Sequence, residues 1–242
     1  ADGYTLLLMS NASTVNETLI PNKPYSLLRD FVGVAPINYS DLVLVAYPGT
    51  GMQNAADLIK RVQAQPGKLN YASSGPGTPY HMAGELFKSM AKIDLVHIPY
   101  KGSSGARTDV LGGQVDLLCD QTTQTVPIIK ENRVKAYGVT TLTRLSSLGQ
   151  LPTLDEQGLK GFEVKVWHGM YVAKGTPAPI IEKINTALRF ALQDPQVRQR
   201  LTDLSSDVPA ADKLTPRGLQ THLEAEIKKW TPVIQKAGIY AD

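Results

Sequence analysis

The sequence predicts an α/β chain of two lobes joined by a hinge, with a ligand cleft between the lobes. Three features lead there. Short β-rich apolar segments alternate with helical patterns, which reads as an α/β fold with largely parallel sheets. Pro48-Gly49, and the strand before Gly175-Thr176-Pro177, mark two places where the chain crosses between lobes. The 242 residues, 42% of them hydrophobic, supply one large or two modest cores. Residues 1–47 and 171–242 are then expected to form one lobe and residues 48–170 an inserted second lobe. A cleft between hinged lobes is a common place for a small ligand, whose binding favours closure.

The elements follow in order. Strands are expected at Tyr4–Met9, Phe31–Pro36, Leu42–Tyr47, Leu69–Ala72, Leu95–Ile98, Val115–Cys119, Lys135–Val139 and Val164–Val172, each a short apolar or β-branched run. A helix over Asn54–Gln65 stops at Pro66-Gly67. The next, Thr78–Met90, places Met82, Leu86 and Met90 on one face as core residues. The last third holds amphipathic helices at Ala178–Gln193, Pro195–Leu204 and Thr215–Ala237. Leu219, Leu223, Ile227, Trp230 and Ile234 form an apolar stripe on the last of these.

Composition removes several function classes. Lys plus Arg total 25 against 22 Asp plus Glu, and no basic block stands out, so nucleic acid is not an expected partner. No apolar run approaches the ~20 residues that a membrane-spanning helix needs. The single cysteine, Cys119, lies in an apolar run and reads as a buried small hydrophobe, so no disulfide framework exists. His81, His97, His168 and His222 lack the spacing of a metal site and read as structural or surface residues. No metal or cofactor is expected.

The sharpest local signal runs from Leu69 to His81: a strand, the turn Ser73-Ser74-Gly75-Pro76-Gly77, then a helix with Thr78 as N-cap and Pro79 at its first position. Such a turn delivers backbone N–H groups and hydroxyls to one spot, where a helix N-terminus welcomes an anion. No arginine adjoins it in sequence. The same pattern also suits a capped turn that binds nothing. The Gly-Lys-Ser/Thr of a P-loop is missing after Gly77, and Ala72 stands where a nucleophile elbow needs glycine. A triad using Ser73 or Ser74 with a histidine and Asp116 or Asp120 stays open, because such sites are assembled in space. Asp120 lies at the carboxyl end of a strand before Gln121-Thr122-Thr123, which suits either a helix N-cap or a ligand contact. Trp167 in the crossing strand suits either core or the cleft wall.

Five motifs carry a family resemblance: Asp2-Gly3-Tyr4-Thr5-Leu6-Leu7, Pro66–Gly75, His97-Ile98-Pro99-Tyr100-Lys101-Gly102, Leu111–Asp116 and Ala173-Lys174-Gly175-Thr176-Pro177. In this order and spacing the chain resembles the substrate-binding receptors of tripartite tricarboxylate transporters, the Bug receptors, from Ala1 to the closing Ala237–Asp242. The resemblance implies a periplasmic-binding-protein-like fold without catalysis. It implies a small organic mono- or dicarboxylate, aromatic ones included, held by backbone groups, hydroxyls and ordered water. The membrane subunits of the transporter would be partners of a periplasmic monomer. Ligand-facing candidates carried over from the family are Ser10, Asn11, Ser73, Ser74, Gly77, Thr78, Asp120, Thr123, Trp167 and His168. Family members begin upstream of the Asp-Gly-Tyr-Thr motif, so the first lobe is expected to be N-terminally incomplete. The alternatives are a small α/β serine hydrolase using Ser73 or Ser74, and an effector-sensing regulator domain. The second is disfavoured because no basic helix-turn-helix flanks the lobes.

Overall fold

The computed structural model describes residues 1–203 and 206–238. The expected helix end at Leu204 and the closing motif beyond Gly238 lie outside the described residues. The chain divides into two compact units, 1–40 with 166–242 and 41–165. Among the described residues no helix is long and apolar enough to cross a membrane.

The first unit opens with β1 (Leu7–Ser10), α1 (Asn11–Leu19) and α2 (Leu27–Asp30), and enters the long strand β2 (Phe31–Ala46). β1 starts later than its apolar pattern suggests, because pairing with β7 (Lys165–Ala173) begins only at Leu7, opposite Tyr171. The unit closes with α7 (Ala178–Gln193), α8 (Pro195–Asp203), the two-residue β8 (Ser206–Asp207) and α9 (Pro216–Ala237). Thr215 caps α9 by accepting the Gly218 N–H at 2.9 Å, the bond expected of an N-cap threonine. The apolar stripe of α9 then buries Leu219, Leu223, Trp230 and Ile234. Leu219 and Leu223 join Met9, Leu27, Trp167 and Tyr171 in one core cluster.

The second unit takes the rest of β2 and adds α3 (Ala55–Ala64), β3 (Asn70–Ser73), α4 (Pro79–Ala91), β4 (Val96–Pro99), α5 (Ser103–Leu111), β5 (Leu117–Gln121), α6 (Thr122–Lys130) and β6 (Lys135–Val139). Asn54 caps α3 by accepting the Asp57 N–H at 2.9 Å. β3 runs parallel to both β4 and β5, whereas β2 pairs antiparallel with β5 and β6. Asn70 and Asp116 exchange two backbone-to-side-chain hydrogen bonds, 2.9 and 3.0 Å, that fix the β3–β5 register. α4 lies close on β3 because Gly84 has no side chain: a Cβ there would stand 2.2 Å from the Tyr71 ring.

Two expectations are corrected. The largely parallel sheets turn out to be mixed: among the described residues β1 pairs antiparallel with β7, and β2 with β5, β6 and β8, while β3 pairs parallel with β4 and β5. The expected strands Phe31–Pro36 and Leu42–Tyr47 are one strand of 16 residues. Pro36 reads locally as a break, yet β2 continues past it. Its partner changes from β8 at Tyr39–Ser40 to β5 at Leu42–Ala46, so the division between units falls inside the strand. Pro48-Gly49 forms a short 3-10 turn within the second unit.

Candidate functional site

The Ser73–Thr78 turn is built by two opposing requirements. β3 must end, and α4 must begin within a few residues without burying bare backbone groups. Gly75 and Gly77 take φ of +129° and +72°, conformations that L side chains rarely adopt. Gly75 is the internal acceptor: its carbonyl takes the Thr78 hydroxyl at 2.7 Å and the Thr78 N–H at 3.4 Å. The Ser73 hydroxyl, fully buried, accepts the Gly75 N–H at 3.1 Å and lies 2.7 Å from Nε2 of His97. Gly77 donates its N–H to Nδ1 of His81 at 3.0 Å.

This changes which groups the turn offers. Thr78 stands at the N-cap position with extended backbone, but its hydroxyl faces back to Gly75 and caps no helix N–H. The N–H groups of Gly75 and Gly77 are spent inside the turn. Those of Ser74, Tyr80 and His81 have no acceptor among the described residues, and the Ser74 side chain is half-buried. Pro79 has no N–H to satisfy. α4 has 13 residues, so the partial positive charge of its N-terminus reinforces these donors. The arrangement can accept one carboxylate edge, with Ser74 on one side and the first turn of the helix on the other.

Around the turn lies a group of side chains that sequence reasoning did not bring together. The His81 and His97 rings stack at 4.0 Å with 12° between their planes, and Tyr71 stacks on His97 at 4.9 Å. The Tyr71 hydroxyl donates to Glu85 at 2.6 Å, and Lys88 pairs with the same Glu85 oxygen at 3.0 Å. Burial lowers the pKa of both histidines, that of His97 to about 4 with help from the charge of His81. One spacing signal was visible: His81 follows Gly77 by one helical turn, the reach of a side-chain acceptor.

Asp120 is at the end of β5, as expected, but neither caps α6 nor lies open. Its carboxylate is fully buried and takes Arg107 Nε at 2.7 Å, Arg107 Nη2 at 3.2 Å, the Gln121 N–H at 2.9 Å and the Thr125 hydroxyl at 2.7 Å. An arginine therefore does approach the region, delivered by α5, with its fork spent on Asp120. Tyr80 donates to the Gln121 side chain at 3.2 Å, linking the start of α4 to the end of β5. Thr123 is half-buried on the first turn of α6, beside Thr122, which donates to the Asp41 carbonyl at 3.2 Å. Cys119 is buried, its thiol pushed up to about 12.

The candidates in the first unit form a separate assembly. Ser10 ends β1 opposite His168 and precedes α1. Asn11 is buried, accepts the Trp167 N–H at 2.8 Å and donates to Glu226 at 3.4 Å. Trp167 is 1% exposed and donates its indole N–H to Glu226 at 3.2 Å; Trp230 donates to the same oxygen at 3.0 Å. His168 is half-buried with Nδ1 3.1 Å from the Asn38 side chain, and burial lowers its pKa. Glu226 organises the assembly, and nothing in its local sequence distinguishes it from the other acidic residues of α9. Among the described residues no group of three His, Cys, Asp or Glu is placed to hold a metal ion.

Two α/β units on one chain, taken with the family and structural matches, make this a solute-binding protein of the periplasmic-binding-protein type. The chain belongs to the tripartite tricarboxylate transporter family of receptors, whose family model matches residues 1–239. Among curated proteins it is 38% identical over 237 residues to a UPF0065 protein of Agrobacterium vitis, covering 98% of this chain and 68% of that one. To BugT of Bordetella pertussis it is 30% identical over 240 residues, covering 98% and 73%. Among solved structures, the periplasmic binding protein BugD matches with a TM-score of 0.83 at 35% identity, over 100% of this chain and 80% of that one. MatC from Rhodopseudomonas palustris with bound malate matches at 0.84 and 32%, over 96% and 80%. Rpa4515 of R. palustris with adipate matches at 0.84 and 29%, over 99% and 79%. The chain is a solute-binding receptor.

Proposed function

We propose that this receptor captures a small organic mono- or dicarboxylate in the periplasm and hands it, unaltered, to the membrane subunits of a tripartite transporter. The observation that carries the reading is the set of donors left at the start of α4: the N–H groups of Ser74, Tyr80 and His81 beside the Ser74 side chain. A carboxylate is the anion such a set suits, since two oxygens can share several main-chain donors without a paired cation. MatC with malate and Rpa4515 with adipate, both similar across nearly the whole chain, support the carboxylate class. Ser73, Gly77 and Thr78 shape the turn, and Ser74 is the residue whose side chain faces the ligand. Thr123, Ser10 and His168 are proposed as further contacts. Asn11, Trp167 and Asp120 act as supports of the backbone that carries them.

The hydrolase alternative has one observation in its favour, the 2.7 Å contact between Ser73 and His97. Ser73 is fully buried, and among the described residues no carboxylate hydrogen-bonds His97 to orient it as a base. Calorimetry against a panel of aliphatic di- and aromatic carboxylates tests the proposal, together with recovery of the ligand. Saturable binding with unchanged ligand is expected. Turnover of an ester that disappears in Ser73→Ala would replace the receptor reading with the hydrolase.

A further inference from the structure

We propose that His81 is the positioning residue of the carboxylate-binding turn: stacked on His97, its neutral imidazole holds the Gly77 peptide, so the receptor keeps its anion only while His81 is uncharged. This rests on the reading of the turn given above. The turn is tied down at both ends by an imidazole. At the strand end, His97 Nε2 meets the Ser73 hydroxyl at 2.7 Å; at the helix end, His81 Nδ1 accepts the Gly77 N–H at 3.0 Å. The two rings stack at 4.0 Å and so couple the two ties.

The ties differ in what a proton does to them. A hydroxyl both donates and accepts, so Ser73 keeps a partner whether His97 is neutral or charged. A backbone N–H only donates. Protonation of His81 at Nδ1 would set two donors 3.0 Å apart inside a buried turn and leave the Gly77 N–H without an acceptor. Gly77 would then be free to leave its +72° conformation, taking with it the peptides that place Thr78 and the first helical N–H groups.

The surroundings do not favour a charged ring. On α4 itself, Glu85 is near, but its Oε1 already takes Lys88 at 3.0 Å and the Tyr71 hydroxyl of β3 at 2.6 Å. β4 contributes His97, whose own charge would repel that of His81; Cys119 of β5, a thiol pushed up to about 12 and so neutral, acts on the neighbouring Tyr71. Burial lowers the pKa of His81, with Lys88 acting in the same direction and Glu85 opposing. The ring is therefore neutral at pH 7 and gains its proton only under acidic conditions.

The test uses the whole chain and two variants. In wild-type protein without ligand, the Gly77 amide resonance is expected to move with pH along the titration of the His81 ring. Its hydrogen exchange is expected to accelerate more than tenfold in His81→Phe. It should slow again in His81→Asn, whose Oδ1 can accept the same bond but does not titrate. With adipate and malate as probes, calorimetry across pH 7.5 to 5.0, referred at each pH to the fully ionised ligand present, is expected to show wild-type affinity falling along the same titration as the Gly77 amide resonance. His81→Phe should bind weakly throughout, and His81→Asn should lose no affinity beyond what the ligand's own protonation accounts for. A Gly77 amide indifferent to the His81 titration overturns the proposal even if His81→Phe fails to fold. So does a His81→Asn receptor that keeps the wild-type pH profile. Failure of either probe to bind wild type would count against these ligands alone, because the amide measurement decides the positioning role without them.

Discussion

The Ser73–Thr78 turn of the second unit and the Asn11–Trp167 assembly of the first both carry residues that the family resemblance nominates as ligand-facing, yet they are built on opposite plans. The turn is made of small residues whose polar groups satisfy one another and leave main-chain donors over. The assembly is made of large side chains gathered on one carboxylate: Glu226 takes Asn11, Trp167 and Trp230, and Trp167 is buried among Met9, Leu27, Tyr171 and Leu219. One region can lose a side chain and still fold; the other cannot lose one without exposing a hole or a bare charge. Damage to the first unit's assembly should therefore appear as instability, and damage to the turn as lost affinity.

The largest effect that would break this contrast is Trp167→Ala. Truncating a fully buried indole is expected to cost about 3–5 kcal/mol of stability, read from urea unfolding. A variant that unfolds like wild type but binds poorly would move Trp167 into the ligand site. Asp120→Ala should come close, ~3–5 kcal/mol, because it strands the Arg107 guanidinium in a buried pair. That places Asp120 with the supports, although it sits on the same unit as the turn. The outcome against it is a normal melting temperature with weakened binding.

On the turn itself, Ser74→Ala is expected to weaken carboxylate binding by roughly 1.5–3 kcal/mol, a hydrogen bond to a charged group. Its effect on stability should stay within about 0.5 kcal/mol. Gly77→Val should lower affinity by a similar or larger amount, since a β-branched residue at φ +72° is strained by at least ~1–2 kcal/mol. Normal binding by Gly77→Val would show the turn to be only a cap.

A pH series sharpens the comparison further. In the unfolded chain histidine titrates near its ordinary pKa of about 6.5, whereas folded His97 does so at about 4 and folded His81 also below the ordinary value. Between those values the unfolded state binds more protons. The histidine contribution to stability should therefore be full above pH 6.5, fall as pH drops, and be spent below about 4. Denaturation midpoints at pH 7, 5 and 4 measure this, and a flat series would mean that the imidazoles are not buried as described. The smallest effect expected is that of Thr78→Ser. It keeps the hydroxyl on Gly75 and should change affinity less than about twofold, under 0.5 kcal/mol.

Much of the fold was legible because its signals are local. Asn54 before an amphipathic run, Thr215-Pro216 before the stripe of α9 and the Gly/Pro turn before α4 each announce a helix start by chemistry confined to a few residues. The conformation of the candidate turn was legible for the same reason. What escaped was whatever depended on a partner distant in sequence. Pro36 looked like the end of a strand because the residues that pair with β2 beyond it, Ser206–Asp207 and Leu117–Gln121, lie far along the chain. Asp120 looked like a cap because Arg107 reaches it only once α5 packs on β5. Thr78 looked like a cap as well, and its position is right, but its hydroxyl turns back to donate to the Gly75 carbonyl and makes no bond to the helix.

The sequence by itself determined the alternation of strands and helices, the turn with its two glycines and the family. Each of these rests on residue types at short spacing, where backbone sterics and periodicity act without reference to the rest of the molecule. Only the tertiary structure decided which donors of the turn remain free, that His81 and His97 meet face to face, and that Glu226 gathers Asn11, Trp167 and Trp230. Hydrogen-bonding groups are allotted by competition among every acceptor that folding brings within about 3 Å, and that contest is between neighbours in space, not in sequence.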